Sequence, residues 1–331
     1  MSVFVIAEAG ANHNRNFKQA IQLINTAKDS GANAVKFQTY SSETLYSKNT
    51  PNFAGYKNVN KLIKENELPR QWQKDLKSHC DDIGVEFMST PFDEAAVEEL
   101  VKLGVKRLKI AGFESTDPRF VKMVASAGLP LIISAGIGSN IFSINKIISW
   151  VKEEQKDPDI TILHCNNAYP TPDEDINLSR IDNIIHCYPS VKVGLSDHTE
   201  GILTPALAVA KGAKCIEKHY TLSRNLPGPD HPFALEPREL KEMISHIRKA
   251  ELMCKDTELS VTKSESEFSK AMRSVVVKTP IRKGETFDLK NITTKRPFLA
   301  GNIHALKYFD LIGKTAKQDY ETDDFLLEYE L

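Results

Sequence analysis

Through the first two-thirds of the chain, short apolar runs rich in β-branched residues alternate with longer stretches of helical period. This pattern predicts βα units and a parallel sheet. Eight such runs can be read: Phe4-Val5-Ile6-Ala7, Ala34-Val35-Lys36-Phe37, Val85-Glu86-Phe87-Met88, Arg107-Leu108-Lys109-Ile110, Pro130-Leu131-Ile132-Ile133, Ile160-Thr161-Ile162-Leu163, Val191-Lys192-Val193-Gly194 and Lys214-Cys215-Ile216-Glu217. Eight units close a (β/α)8 barrel, a fold of the α/β class. Between the first two runs, Phe17, Ala20, Ile21, Ile24 and Ala27 follow the i, i+3, i+4 spacing of one helix face, and Gly31 stops the helix. Residues 236–253 read as the closing helix.

Residues 41–70 are polar, carry Pro51, Gly55 and Pro69, and exceed a usual βα connection, which points to a lid or an oligomer contact. A charged, Ser/Thr-rich stretch without apolar period follows the closing helix. The expected division is a barrel over 1–260, a linker over 261–272 and a small, mostly β module over 273–331. The module's signals are Ser274-Val275-Val276-Val277, the turn Arg282-Lys283-Gly284-Glu285, and Leu311-Ile312-Gly313-Lys314. A module of that size needs a partner surface for stability.

The chain has 331 residues, 41% hydrophobic and 26% charged, as expected of a globular protein with a sizeable core. Its formal net charge of −1 supplies no basic field for nucleic acid or anionic lipid, so any anion must meet a local cluster. Five cysteines without a CxxC pair read as reduced core residues. The first residues have no basic stretch and reach Glu8 early, which argues against a signal peptide, and no apolar run has membrane-spanning length. A cytoplasmic protein that contacts no membrane is expected.

Catalytic groups of such barrels sit where the strands end, because strand interiors are packed. Reading each run to its end gives Glu8, Lys36, Thr90, Lys109 with Glu114 beyond, Ser134, Asn166 with Asn167, Ser196-Asp197-His198, and Glu217-Lys218-His219. Lysines, serines and asparagines converging on one mouth would cradle a phosphate ester. Each lysine alone could equally snorkel to solvent. His198 and His219 end adjacent strands, where two imidazoles could share a divalent metal or serve as hydrogen-bonding core residues. Asp230, within Pro227-Gly228-Pro229-Asp230, either caps a turn or reaches the mouth. There is no GxSxG, P-loop or GxGxxG.

Several segments together resemble the sialic acid synthase family, which includes N-acetylneuraminate, legionaminate and pseudaminate synthases. They are Ile6-Ala7-Glu8-Ala9-Gly10-Ala11-Asn12-His13-Asn14, Val35-Lys36-Phe37-Gln38-Thr39, Ser89-Thr90-Pro91-Phe92-Asp93, Leu163-His164-Cys165, Tyr169-Pro170, Leu195-Ser196-Asp197-His198, Ile216-Glu217-Lys218-His219 and Pro227-Gly228-Pro229-Asp230-His231. The tail, including Lys295-Arg296-Pro297, resembles that family's antifreeze-like (SAF) domain. The resemblance implies condensation of phosphoenolpyruvate with an N-acylated hexosamine. It implies that Lys36, Lys109, Ser134, Asn167 and Ser196 hold phosphoenolpyruvate, and that Glu8, Tyr169 and Asp230 face the sugar. His198 and His219 would bind a divalent cation, commonly Mn2+, with Mg2+ or Co2+ as alternatives. Arg296 would reach the N-acyl group from the neighbouring subunit of a domain-swapped homodimer. Glu114 is the candidate acid/base, with Glu8 and Lys109 beside it in the catalytic set.

The chain departs from the family's pattern at Gly112, where a serine hydroxyl is usual, at Arg15, where glycine is common, and at Asn166, where threonine is frequent. The PGPDH segment leans toward neuraminate and legionaminate synthases, and Ile110-Ala111-Gly112-Phe113-Glu114 toward pseudaminate synthases. A Schiff-base lyase using Lys109 or Lys218 is the rival chemistry on the same barrel, and a non-catalytic sugar-binding barrel is the rival of another class.

Overall fold

A computed structural model describes residues 2–52, 58–255 and 258–328. The chain divides into two compact units, Met1–Lys255 and Asp256–Leu331. The first holds eight parallel strands, β1 Phe4–Gly10, β2 Ala34–Thr39, β3 Glu86–Pro91, β4 Leu108–Ile110, β5 Leu131–Ala135, β6 Ile160–Cys165, β7 Lys192–Asp197 and β8 Cys215–His219. They are hydrogen-bonded in the order β3-β2-β1-β8-β7-β6-β5-β4, with helices between them. The unit is a (β/α)8 barrel.

Most strands run one to three residues past the apolar runs that predict them. The apolar signal fades where polar residues begin to accumulate, whereas a barrel strand continues while its inward side chains turn polar. Thus Glu8, Ser134, Ser196 and His219 lie within strands. Alternation divides each strand between two cores. In β8, Cys215 packs with Ile6, Ala34, Met88, Ile132 and Leu163 inside the barrel, and Ile216 packs outward against the helices.

The helix predicted from residue 17 spans Phe17–Ser30. Asn16 caps its start by accepting from Gln19 N–H, and Gly31 ends it at φ 88°, a left-handed conformation that glycine adopts freely. The closing helix is Pro237–Met253. Within the long connection after β2, Ser42–Leu45 and Val59–Asn66 are helical, and Gly55 lies outside the described residues.

The second unit contains less strand than its sequence suggests. Ser274–Val277 pairs antiparallel with Ile292–Lys295, and isolated bridges such as Val276 with Phe325 and Ile281 with Tyr320 complete the described β structure. Leu311, expected in a strand, ends the short helix Tyr308–Leu311. Val275, Val277, Ile281, Phe287, Ile303 and Leu326 form a small core of its own. The cysteine expectation needs correction: Cys80, Cys165 and Cys215 are buried, but Cys187 and Cys254 are exposed where helices end. Among the described residues no helix is long and apolar enough to cross a membrane.

Candidate active site at the C-terminal mouth

Four charged side chains from three adjacent strands and one across the barrel meet below the mouth. Glu8 of β1 lies 2.7 Å from the Lys36 ammonium of β2 and accepts from Gln38 at 2.8 Å. Lys36 also donates to Thr90 of β3 at 2.9 Å. Glu217 of β8 sits between the lysines, 3.8 Å from Lys36 and 3.6 Å from Lys109 of β4. Lys109 donates to Ser134 at 2.8 Å, and Ser196 donates to Glu217 at 3.1 Å. The four charged side chains are nearly inaccessible, with Lys36 3%, Lys109 2% and Glu8 1% exposed, which excludes the snorkelling alternative.

The two carboxylates respond oppositely to this environment. Burial raises Glu8, opposed by Lys36 and reinforced by the charge of Glu217. Burial also pushes Glu217 upward, but Lys109 and Lys36 together overcome it and hold that carboxyl ionised. Glu217 Oε2 is buried without a hydrogen-bond partner. From the sequence alone Glu217 stands at a strand end with no role assigned to it. Counting back two residues from His219 along β8 would have faced it inward.

Beside this charged floor, the His198 and His219 ring centroids lie 5.5 Å apart, with the Tyr169 ring tilted against His198 at 4.2 Å. Burial lowers His198 to about 4, aided by the neighbouring His219. Burial lowers His219 to about 3, and the Lys36 charge adds to it. Both imidazoles are therefore neutral. His198 Nδ1 lies 2.6 Å from the Asn166 carbonyl, so Nδ1 carries the proton and Nε2 keeps its lone pair. His219 Nδ1 is buried with no hydrogen-bond partner. Two neutral rings with free lone pairs fit the donor set of a divalent cation. Among the described residues, no third His, Cys, Asp or Glu joins them in a ligating group.

Asp230 extends the mouth, 3.7 Å from His219 Nδ1 and accepting from Ala11 N–H at 3.2 Å. Gly10, at φ 49°, makes room for it, since a Cβ there would stand 2.6 Å from Asp230 Oδ2. Asn167 accepts from Ile137 N–H at 2.7 Å and sits 3.4 Å from the Tyr169 hydroxyl. Its carboxamide fills the space at Gly112, where a Cβ would stand 2.9 Å from Asn167 Oδ1. A serine at that position would have to displace Asn167. Glu114 is half-buried, and burial raises its carboxyl above the ordinary range despite the Lys109 charge. Arg296 belongs to the second unit.

Lys218 is accounted for differently. Its side chain turns outward into the barrel wall, paired with Asp197 and donating to the Thr199 carbonyl at 2.6 Å.

A parallel barrel that concentrates paired lysines, carboxylates and neutral imidazoles at the C-terminal ends of its strands has the site architecture of a barrel enzyme. The chain belongs to the NeuB family, whose model matches residues 23–258, and a SAF domain matches residues 272–328. It is an enzyme of the NeuB synthase family. The N,N'-diacetyllegionaminic acid synthase of Campylobacter jejuni is 37% identical to it over 98% of each chain. A pseudaminic acid synthase of Campylobacter jejuni is 34% identical over 98% of this chain and 96% of its own. Among solved structures, an N-acetylneuraminic acid synthetase of Leptospira borgpetersenii in complex with citrate superposes with a TM-score of 0.75 at 34% identity. That match covers 81% of this chain and 90% of the other.

Proposed function

We propose that this chain condenses phosphoenolpyruvate with the open-chain form of an N-acylated hexosamine, giving a nine-carbon sugar acid of the sialic acid type and inorganic phosphate. The candidate acceptors are N-acetylmannosamine and a 2,4-diacetamido-2,4,6-trideoxyhexose. The observation that carries the reading is the adjacency of two buried, inward-facing lysines to two neutral imidazoles at one mouth. Relatives of nearly the same length whose names specify legionaminic and pseudaminic acid synthesis support it.

In the reaction, C3 of phosphoenolpyruvate bonds to the aldehyde carbon, and the aldehyde oxygen takes up a proton. The oxygen of water adds at C2, and the phosphate leaves with its bridging oxygen as the C2 carbonyl forms. Lys36 and Lys109 would neutralise the carboxylate and phosphate, with Ser134, Ser196 and Asn167 supplying hydrogen bonds. Glu8, Tyr169 and Asp230 would orient the sugar. Glu114, whose raised carboxyl exchanges protons more readily near neutrality than an ordinary one, would take the proton of the attacking water. A divalent cation on His198 and His219, Mn2+ first among the candidates, would supply Lewis acidity toward the aldehyde oxygen. The Schiff-base rival has less support, because Lys109 is held near Glu217 and Ser134, and Lys218 faces the wall.

The direct test is phosphate release from phosphoenolpyruvate after chelation and Mn2+ readdition, with both classes of hexosamine offered in parallel. Release that needs one sugar and the metal supports the reading. An adduct trapped by borohydride with pyruvate, without phosphate release, would replace it by the lyase. Glu114→Gln should abolish the acid limb of the pH–rate profile, which otherwise lies above the usual carboxylate range because burial raises that group. The domain-swapped homodimer is tested by mixing Lys36→Ala chains with Arg296→Ala chains. Activity recovered on mixing requires that Arg296 serve a neighbour's mouth.

A further inference from the structure

We infer that His231 is a positioning residue for the sugar end of the site: it clasps the loop after β8 to the loop after β1 and so fixes the Asp230 carboxylate. The inference rests on the proposed reading of Asp230 as a sugar-facing group. His231 is 0% exposed, and both ring nitrogens are engaged. Nε2 lies 3.0 Å from Asn14 Oδ1, an atom that can only accept, so Nε2 carries the proton. Nδ1 then accepts from the Thr221 hydroxyl at 2.6 Å, and that hydroxyl accepts from Ser223 N–H at 3.1 Å. The Asn14 carboxamide oxygen thus sets the tautomer, and the Thr221 hydroxyl, which also lies 3.1 Å from the Ser223 carbonyl, turns its proton to suit.

The partner loop is shaped to receive this ring. Asn14 and Arg15 take left-handed conformations at φ 49° and 51°, and His13 Nδ1 accepts from Arg15 N–H at 3.0 Å, which presents the Asn14 carboxamide to His231. Gly228, at φ 145°, passes directly over the ring: a Cβ there would stand 2.9 Å from His231 Cδ2 and 3.2 Å from Asn14 Oδ1. Asp230 is the preceding residue, and its carboxylate reaches Ala11 of the same β1 loop on the mouth side. Two neighbouring side chains therefore rivet one pair of loops, one in the interior and one at the mouth. Removing the interior rivet leaves the Asn14 carboxamide oxygen without its partner and releases the loop that carries Asp230.

The test is steady-state kinetics of the full-length, Mn2+-loaded chain. His231→Ala should raise KM for the accepted hexosamine about tenfold or more while KM for phosphoenolpyruvate moves less than about twofold. His231→Gln, which keeps a donor for Asn14 and an acceptor for Thr221, should recover most of the loss. In an Asp230→Asn background, His231→Ala should add little, because it acts through Asp230. Fully additive losses, or KM values for both substrates rising together, would overturn the inference and leave His231 a fold-stabilising residue only. A wild-type chain that releases no phosphate with any hexosamine would overturn the proposed function first, an outcome distinct from active wild type with additive variants.

Discussion

Glu217 and Lys218 are consecutive in β8, yet they belong to two buried charge clusters of different character. The inner cluster, Glu8, Lys36, Lys109 and Glu217, is incompletely satisfied: Glu217 Oε2 has no hydrogen-bond partner, and its lysines stand 3.6 and 3.8 Å away. The wall cluster is closed. Lys218 meets Asp197 and the Thr199 carbonyl, while the other Asp197 oxygen accepts from Thr199 N–H at 2.9 Å and its hydroxyl at 2.8 Å. The same residue types thus make a receptive surface on one face of a strand and a structural tie on the other. The two lysines, only loosely paired with Glu217, can turn to an anion when one arrives, whereas the wall pair has no bond to spare.

Substitutions should separate the two clusters. The largest expected effect is on stability: Lys218→Ala strands Asp197 in the wall and should cost about 3–5 kcal/mol in urea unfolding. A loss below about 1 kcal/mol would erase the distinction. Lys36→Ala should do the reverse, lowering phosphate release about 10²–10³-fold while the unfolding midpoint falls less than in Lys218→Ala. A still smaller change is expected at the opposite end of the barrel, where Lys192 pairs with Asp159 and both side chains are 49% exposed. Lys192→Ala should alter stability by less than about 1 kcal/mol and leave turnover unchanged.

Much of the barrel was legible because two periods, alternation in strands and the helical repeat between them, survive in the sequence. Strand ends gave the lysines, Ser134, Ser196 and both histidines, because apolar runs stop where the core gives way to the mouth. What escaped depends on contacts distant along the chain. The role of Glu217 appears only when Lys36 and Lys109, from β2 and β4, are seen to converge on it. The His231 clasp joins residues 217 positions apart, and no periodicity links Asn14 to a turn near the end of the barrel. The place left by the serine missing at position 112 could not be read as filled, since Asn167 comes from another strand end. In the second unit the strands are only four residues long, too short for alternation to distinguish them from turns.

The ring of strands has one interruption among the described residues, between β3 and β4, where no ladder is formed. The start of the chain, meanwhile, lies against the end of the closing helix: Arg248 donates to the Val3 carbonyl at 2.8 Å, and the Ser2 hydroxyl is 3.4 Å from Glu251. These two facts make the barrel unit a natural subject for circular permutation. New termini opened in the β3–β4 connection would sever no hydrogen-bonded ladder, and a short linker would join the old ends. Such a rearranged chain would begin with the strand that carries Lys109 and finish with the one that carries Thr90, with every inward side chain of the mouth still on its own strand.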